Sequence, residues 1–238
     1  MNFSSTGWSP LAITATFNKA NLIIFEPFID DIFSQFQGTL TGDYKVSGTL
    51  AEPLLNGEGQ LENGAMMINY LKTVYQFKGI LGVNPNAIYF KEIELTDALL
   101  NKGKLNGAIT HDNFRSMELS LNGQFDDFQV LNTTAKDNSL FYGHAYASGT
   151  VNFSGPIDNL VISATATTRK NTRMYIPISG SSSVEQKDYI NFVNFNDSTY
   201  QVSQNIDEVK RIKLTGVTID FNLDVTPDAY CEIIFDLK

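Results

Sequence analysis

The sequence predicts an all-β chain of one-sided antiparallel strands, and three observations carry the prediction. Apolar and polar side chains alternate over long stretches: Leu40, Tyr44, Val46 and Leu50 are separated by Thr39, Thr41, Asp43, Lys45, Ser47 and Thr49. That period of two belongs to a half-buried strand. Glycines fall on the apolar side of the alternation, at Gly42 and Gly48. There they leave gaps in the side-chain row, which marks a bulge, a bend or the close approach of another chain. The device is used twice, because Gly149-Thr-Val-Asn-Phe-Ser-Gly155 repeats Gly42-Asp-Tyr-Lys-Val-Ser-Gly48 in its glycine spacing, its inward apolar positions and its second-glycine serine. A proline (Pro53, Pro156) and a short apolar run follow each copy.

From the N-terminus, Leu11, Ile13, Ala15 and Phe17 alternate with polar or small residues and make a first strand. The period then changes. Phe25, Ile29, Ile32, Phe33 and Phe36 recur at helical steps, Pro27 suits a first helical position, Asp30 and Asp31 lie near the positive N-terminal end, and Gly38 is a stop. One short helix is expected over about residues 26–36, capping the end of a sheet. Its aromatic stripe also suits a membrane surface, but no Lys or Arg lines the opposite face as an interfacial helix prefers.

From Gly38 onward the chain reads as strand and turn. Tyr75, Phe77 and Leu81 alternate before the turn Asn84-Pro85-Asn86. Ile88 and Phe90 sit on one parity and Ile93 and Leu95 on the other, so a bulge is expected at Lys91 or Glu92. Leu105, Gly107 and Ile109 follow, and then Met117, Leu119, Leu121, Gly123 and Phe125 alternate without a break. Strands with one apolar and one solvated face belong to antiparallel meanders. After the second glycine unit comes the basic turn from Arg169 to Arg173, then alternation through Met174, Ile176 and Ile178. The polar stretch from Gly180 to Gly216 is expected to be a mobile excursion, with Tyr189 to Phe195 its ordered part. Val217, Ile219, Phe221, Leu223 and Val225 form the cleanest strand, and Pro227-Asp-Ala turns it into a last strand ending at Leu237.

The length of 238 residues fits one extended all-β domain, the reading adopted, or a small pair, with a sizeable interior, and 42% hydrophobic content excludes a disordered tail. A net charge of −9 argues against nucleic acid or an anionic membrane surface as partner. The lone Cys231 excludes an internal disulfide. The first residues lack the regions of a signal peptide, no apolar run is long enough to span a membrane, and the chain stops in strand chemistry; it is read as a fragment.

Chemistry is scarce. His111 and His144 have no Cys, His or paired acid at ligand spacing, so no metal site and no cofactor is expected. The pairs Asp30-Asp31 and Asp126-Asp127 are adjacent, and neighbours in a strand point to opposite faces rather than into one cleft. Ser179 to Ser183 lacks the spacing of a nucleophile elbow. Cys231 reads as a packing residue, and the Arg169–Arg173 turn as solvated or as a contact for lipid phosphate. No enzymatic activity is expected.

Three stretches carry a family resemblance: Phe141-Tyr-Gly-His-Ala-Tyr-Ala-Ser-Gly-Thr-Val-Asn-Phe-Ser-Gly-Pro-Ile-Asp-Asn-Leu160; Leu95-Thr-Asp97 with Asn101-Lys-Gly-Lys-Leu-Asn-Gly-Ala-Ile-Thr-His111; and Val46-Ser-Gly-Thr-Leu-Ala-Glu-Pro-Leu-Leu-Asn-Gly57. In order and spacing the chain resembles the C-terminal conserved domain of the TamB family, of the type found in Bacteroidetes, over about residues 18–237. The resemblance implies an elongated, folded-over sheet, a β-taco, with an apolar groove. It further implies a periplasmic location within an inner-membrane-anchored protein of a Gram-negative bacterium, with phospholipid acyl chains as ligand and a TamA-like outer-membrane barrel-assembly protein as partner.

The residues expected to line that groove are Leu40, Tyr44, Val46, Leu61, Tyr75, Phe77, Leu105, Ile109, Met117, Leu119, Leu121, Val151, Phe153, Ile219, Phe221 and Leu223. Each is equally an ordinary core position, since a sandwich has the same apolar-in pattern. Three readings follow. The first is a bridge segment for lipid transport and outer-membrane assembly; the second is a carbohydrate-binding or adhesive module using Tyr142, Tyr146, Tyr189 and Tyr200; the third is a β-helical hydrolase, for which an acid cluster is missing.

Overall fold

The computed structural model describes residues 11–50, 52–179 and 216–236. The expected excursion at about residues 180–216, with Tyr189 and Tyr200, lies outside the described residues apart from Gly216. Among the described residues, twelve strands form one sheet: β1 (Ile13–Asn21), β2 (Phe33–Gly48), β3 (Pro53–Ile68), β4 (Thr73–Asn84), β5 (Ala87–Thr96), β6 (Lys102–Asp112), β7 (Arg115–Thr133), β8 (Tyr142–Pro156), β9 (Leu160–Thr168), β10 (Arg173–Ser179), β11 (Val217–Asp224) and β12 (Tyr230–Asp236). From β1 to β8 each strand pairs antiparallel with the next, in keeping with the one-sided alternation.

The helix expected over about residues 26–36 is shorter and earlier. A 3-10 turn spans Leu22–Phe25, one α-helical turn (α1) spans Glu26–Ile29, and Phe33 and Phe36 already belong to β2. The cause is a bulge. Gln35 adopts φ 56°, and the register shifts between Ser34 and Gln37, so residues three apart share a face without any helix.

Similar bulges form a crease across the sheet. Lys19 (φ 53°), Asn63 (φ 52°) and Glu92 (φ 52°) each sit where β1, β3 or β5 carries an extra residue against its neighbour. Glu92 is one of the two residues at which the parity switch placed a bulge, and Asn106 Oδ1 accepts its backbone N–H at 2.7 Å. By adding a residue, each bulge bends and twists the strand while returning its apolar side chains to the same face.

After β8 the sheet divides. The C-terminal part of β8 pairs with β9, and its N-terminal end pairs with β10. β11 then runs parallel to β9, and β12 parallel to β10. The turn expected at Pro227 to Ala229 is therefore no hairpin, because β11 and β12 continue in one direction across it. The same is true of β9 and β10 across Arg169 to Thr172. Buried threonines close both gaps. Thr172 Oγ1 donates to Tyr146 O and accepts from Tyr146 N–H, while Thr168 Oγ1 accepts from Thr226 N–H at 2.8 Å.

The core lies on the face toward which the sheet curls. Leu22, Leu40, Leu61, Phe77 and Ile93 are its centre, with Phe17, Phe36, Tyr44, Met66, Leu81, Phe90, Leu95 and Leu105 packed around them. At the end of the sheet where the β5–β6 hairpin stops short, β7 runs on and crosses to β4. Tyr75 stacks on Phe128 with ring centroids 4.8 Å apart, Tyr75 Oη donates to Gln129 O at 2.7 Å, and Asn132 N–H donates to Leu71 O at 2.9 Å. Asp97, in the hairpin, locks this closure.

Candidate apolar trough

The registers assemble the inward side chains into rows that run across the strands. One row is Phe17, Gly42, Gly59, Leu81, Phe90, Gly107, Leu121, Phe153, Ile162 and Ile219, from β1 to β11. A second is Ala15, Tyr44, Gly57, Val83, Ile88, Ile109, Leu119 and Gly155. On the other side of the crease, Ile93, Leu105, Gly123, Val151, Ala164 and Phe221 form a third. Gly64, Phe77, Leu95, Gly103, Phe125, Gly149, Ala166 and Leu223 form a fourth. No charged side chain interrupts any of the four, and the hydroxyl they contain, that of Tyr44, is hydrogen-bonded to Leu81 O.

Large side chains in these rows lie beside glycines, and the geometry requires it. Tyr44 lies across β3 where Gly57 and Gly59 leave room, and its hydroxyl donates to Leu81 O on β4 at 2.8 Å. A Cβ at Gly57 would sit 2.6 Å from Tyr44 Cδ1, and one at Gly64 would overlap the Phe77 ring. The glycines let the strands approach while the rings lie down along the floor.

All sixteen expected lining residues lie on this one face, but their surroundings are graded. Leu40, Leu61, Tyr75 and Phe77 are buried. Tyr44, Val46, Leu105, Ile109, Met117, Leu119, Leu121, Val151, Phe153 and Ile219 are half-buried. Phe221 and Leu223 are 63% and 40% exposed. Buried residues on this face that the sequence reading did not include are Leu22, Ile93 and Phe128, and the rows add Phe17, Leu81, Phe90, Leu95 and Ile162. Leu22 belongs to the unbroken apolar run Leu22 to Phe25, which has no period to show which side chain turns inward, whereas the parity switches around Ile93 and Phe128 were a usable signal.

Burial pushes the hydroxyl of Tyr75 up to about 12, and that of Tyr44 to about 12 as well. A folded-state value raised above the unfolded one contributes stability that is complete below the unfolded value. For these tyrosines it is present below the ordinary 10.0 and lost as pH rises through about 12. The urea midpoint should fall across that alkaline window, and Tyr75→Phe should fall less than the parent; equal falls would show that Tyr75 does not contribute.

The opposite face carries the charge. Asp126 and Asp127 are both exposed at a bulge in β7, rather than on opposite faces as a regular strand would place them. Hydrogen bonds from Ser148 and then Arg169 hold the Asp126 carboxyl below its usual range, and Arg169 pairs with it at 3.0 Å. His111 is buried, stacks on Phe114 and accepts that residue's N–H at Nδ1. Cys231 is exposed on β12 and does not serve as packing. Among the described residues, no group of three or more His, Cys, Asp or Glu is placed to hold a metal ion. No helix among them is long and apolar enough to cross a membrane.

A family model described as the TamB C-terminal domain matches residues 92–236. The match begins at the bulge residue of β5 and covers β6 to β12 entire. No curated protein and no solved structure matches the chain.

Proposed function

The chain belongs to the TamB C-terminal domain family, and from that premise we propose that it is a bridge segment whose apolar trough carries phospholipid acyl chains across the periplasm. The family is a transport and assembly module of the bacterial envelope, linked to lipid transport and outer-membrane assembly. The observation that supports the trough reading is the set of transverse rows, continuous from strand to strand and progressively more exposed toward Phe221. Exposing acyl chains to water costs about 0.8 kcal/mol per CH₂, on the order of 20 kcal/mol for two chains. A continuous apolar floor removes most of that barrier without a chemical step. In this reading the whole protein is anchored in the inner membrane, and a TamA-like barrel-assembly protein is its outer-membrane partner.

The carbohydrate reading has one observation in its favour. On the face away from the trough, Tyr142 stacks on Tyr175 with centroids 5.1 Å apart, Tyr230 meets Tyr175 edge-on, and Tyr230 Oη donates to Glu232. Two of these rings, however, spend a face on each other, which leaves a poorer platform for a sugar. Tyr146 is committed elsewhere, since its hydroxyl accepts from Gln129 Nε2.

Native mass spectrometry of gently purified protein separates the readings. The expected result is adducts with the masses of two-chain phospholipids. Adducts of oligosaccharide mass, or none after detergent-free purification, would overturn the lipid reading.

A further inference from the structure

The trough is filled unevenly. On the β1–β5 side its floor lies beneath Leu22, which comes from the 3-10 turn of the β1–β2 connection and is 2% exposed. Leu22 packs with Leu40, Leu61, Phe77 and Ile93. The floor under it is bare: a Cβ at Gly38 would lie 2.8 Å from Gly64 Cα and 3.0 Å from Leu22 Cδ1. Gly38 clears a space that Leu22, from a connection, enters, while the Phe77 ring lies over Gly64. On the β7–β11 side the rows again meet small residues, at Gly123, Gly149, Ala164 and Ala166. There Val151 closes over Gly123 and the β9 backbone over Gly149, and Phe153, Ile162 and Phe221 stay half-buried or exposed.

We infer that Leu22 is a built-in occupant of the trough: an acyl chain lies first on the β7–β8–β9–β11 floor and reaches the β1–β5 half only by taking the place of Leu22. This rests on the trough reading above. Four strands at about 4.8 Å spacing make a floor about 15 Å across. One acyl chain spans half of the about 30 Å hydrocarbon core of a bilayer, so a chain laid across the four strands matches the floor from end to end. The turn is lightly held. Of its four residues only Leu22 is buried, Ile23, Ile24 and Phe25 are exposed, and its N-terminal side-chain cap is Asn21 Oδ1 accepting from Ile23 N–H at 3.0 Å.

The test is photo-crosslinking of the complete chain with a phosphatidylethanolamine that carries a diazirine at the end of one acyl chain, with labelled positions mapped by mass spectrometry. In the parent, label is expected at Leu119, Phe153 and Phe221 and not at Leu40, Leu61 or Phe77. Leu22→Ala should extend labelling to the second group. Because that variant also leaves a cavity that by itself weakens the fold, Asn21→Ala, which loosens the turn without removing core volume, should produce the same extension as a several-fold rise. Parent labelling at Leu61 and Phe77 equal to that at Phe221 would overturn the inference while leaving the trough reading intact. So would labelling that stays confined to β7–β11 in both variants. Absence of label in the parent and both variants would overturn the trough reading and this inference with it.

Discussion

Asp97→Ala should cost the fold about 4 kcal/mol, the scale of a broken buried network of charge-assisted hydrogen bonds. Asp97 is 3% exposed, and its carboxylate accepts from Leu99 N–H and Asn101 N–H at 2.9 Å, from Asn101 Nδ2 at 3.2 Å and from Gln129 N–H at 2.9 Å. The first three shape the β5–β6 turn; the last reaches the extension of β7 that crosses to β4. Alanine leaves these donors without their acceptor and releases the closure at Tyr75 and Phe128 together with the turn. Asp97→Asn should recover less than half of the loss, since its amide sets a donor against one of the groups that now donate. Chemical denaturation gives the magnitude, and hydrogen exchange at the Gln129 amide gives the location. A loss within about 1 kcal/mol, the range of ordinary surface changes, would mean that the closure does not depend on Asp97.

The motif Leu95-Thr-Asp97 with Asn101 was legible as a family feature, but its mechanical role was not, because Gln129 lies 32 residues away and only the crossing of β7 brings it near. Local alternation was legible wherever a strand is regular, as from Met117 to Phe125. The parity change between Phe90 and Ile93 also disclosed its bulge. The same physics misled the reading at Phe33 and Phe36: a bulge puts residues three apart on one face, which is the spacing of a helix turn. The parallel registers of β11 and β12 had no local signal at all. Val217 to Val225 alternates identically whether its neighbour runs parallel or antiparallel, and Pro227-Asp-Ala suits a jog as well as a hairpin. The division of the trough into filled and open halves depends on Leu22, whose neighbours Ile23, Ile24 and Phe25 are equally apolar in sequence and differ from it only in burial.

Phe77→Asp should unfold the protein, whereas Phe221→Asp should leave it folded and unable to hold lipid. Both side chains belong to the trough face, and the two substitutions are chemically identical. Phe77 is buried at the centre of the core, stacked on Phe36 with centroids 5.8 Å apart and lying over Gly64. Aspartate there loses an aromatic ring from a packed interior, worth about 3–5 kcal/mol on truncation alone, and adds an unpaired charge that water does not reach. Phe221 is 63% exposed beside Ala164 on β9. A carboxylate in its place stays hydrated, and the expected loss is about 1 kcal/mol. What it changes is the floor: a charge now stands at the exposed end of the row that begins at Ile93, and an acyl chain lying over that end must strip water from the carboxylate. Leu119→Asp, half-buried in the middle of β7, should fall between the two in stability while also blocking lipid. Circular dichroism and urea midpoints measure the first effect, and co-purified phospholipid measures the second. A folded Phe221→Asp that retains lipid as well as the parent does would remove the trough from the transport path, and a folded Phe77→Asp would show that the β1–β5 half is not a sealed core.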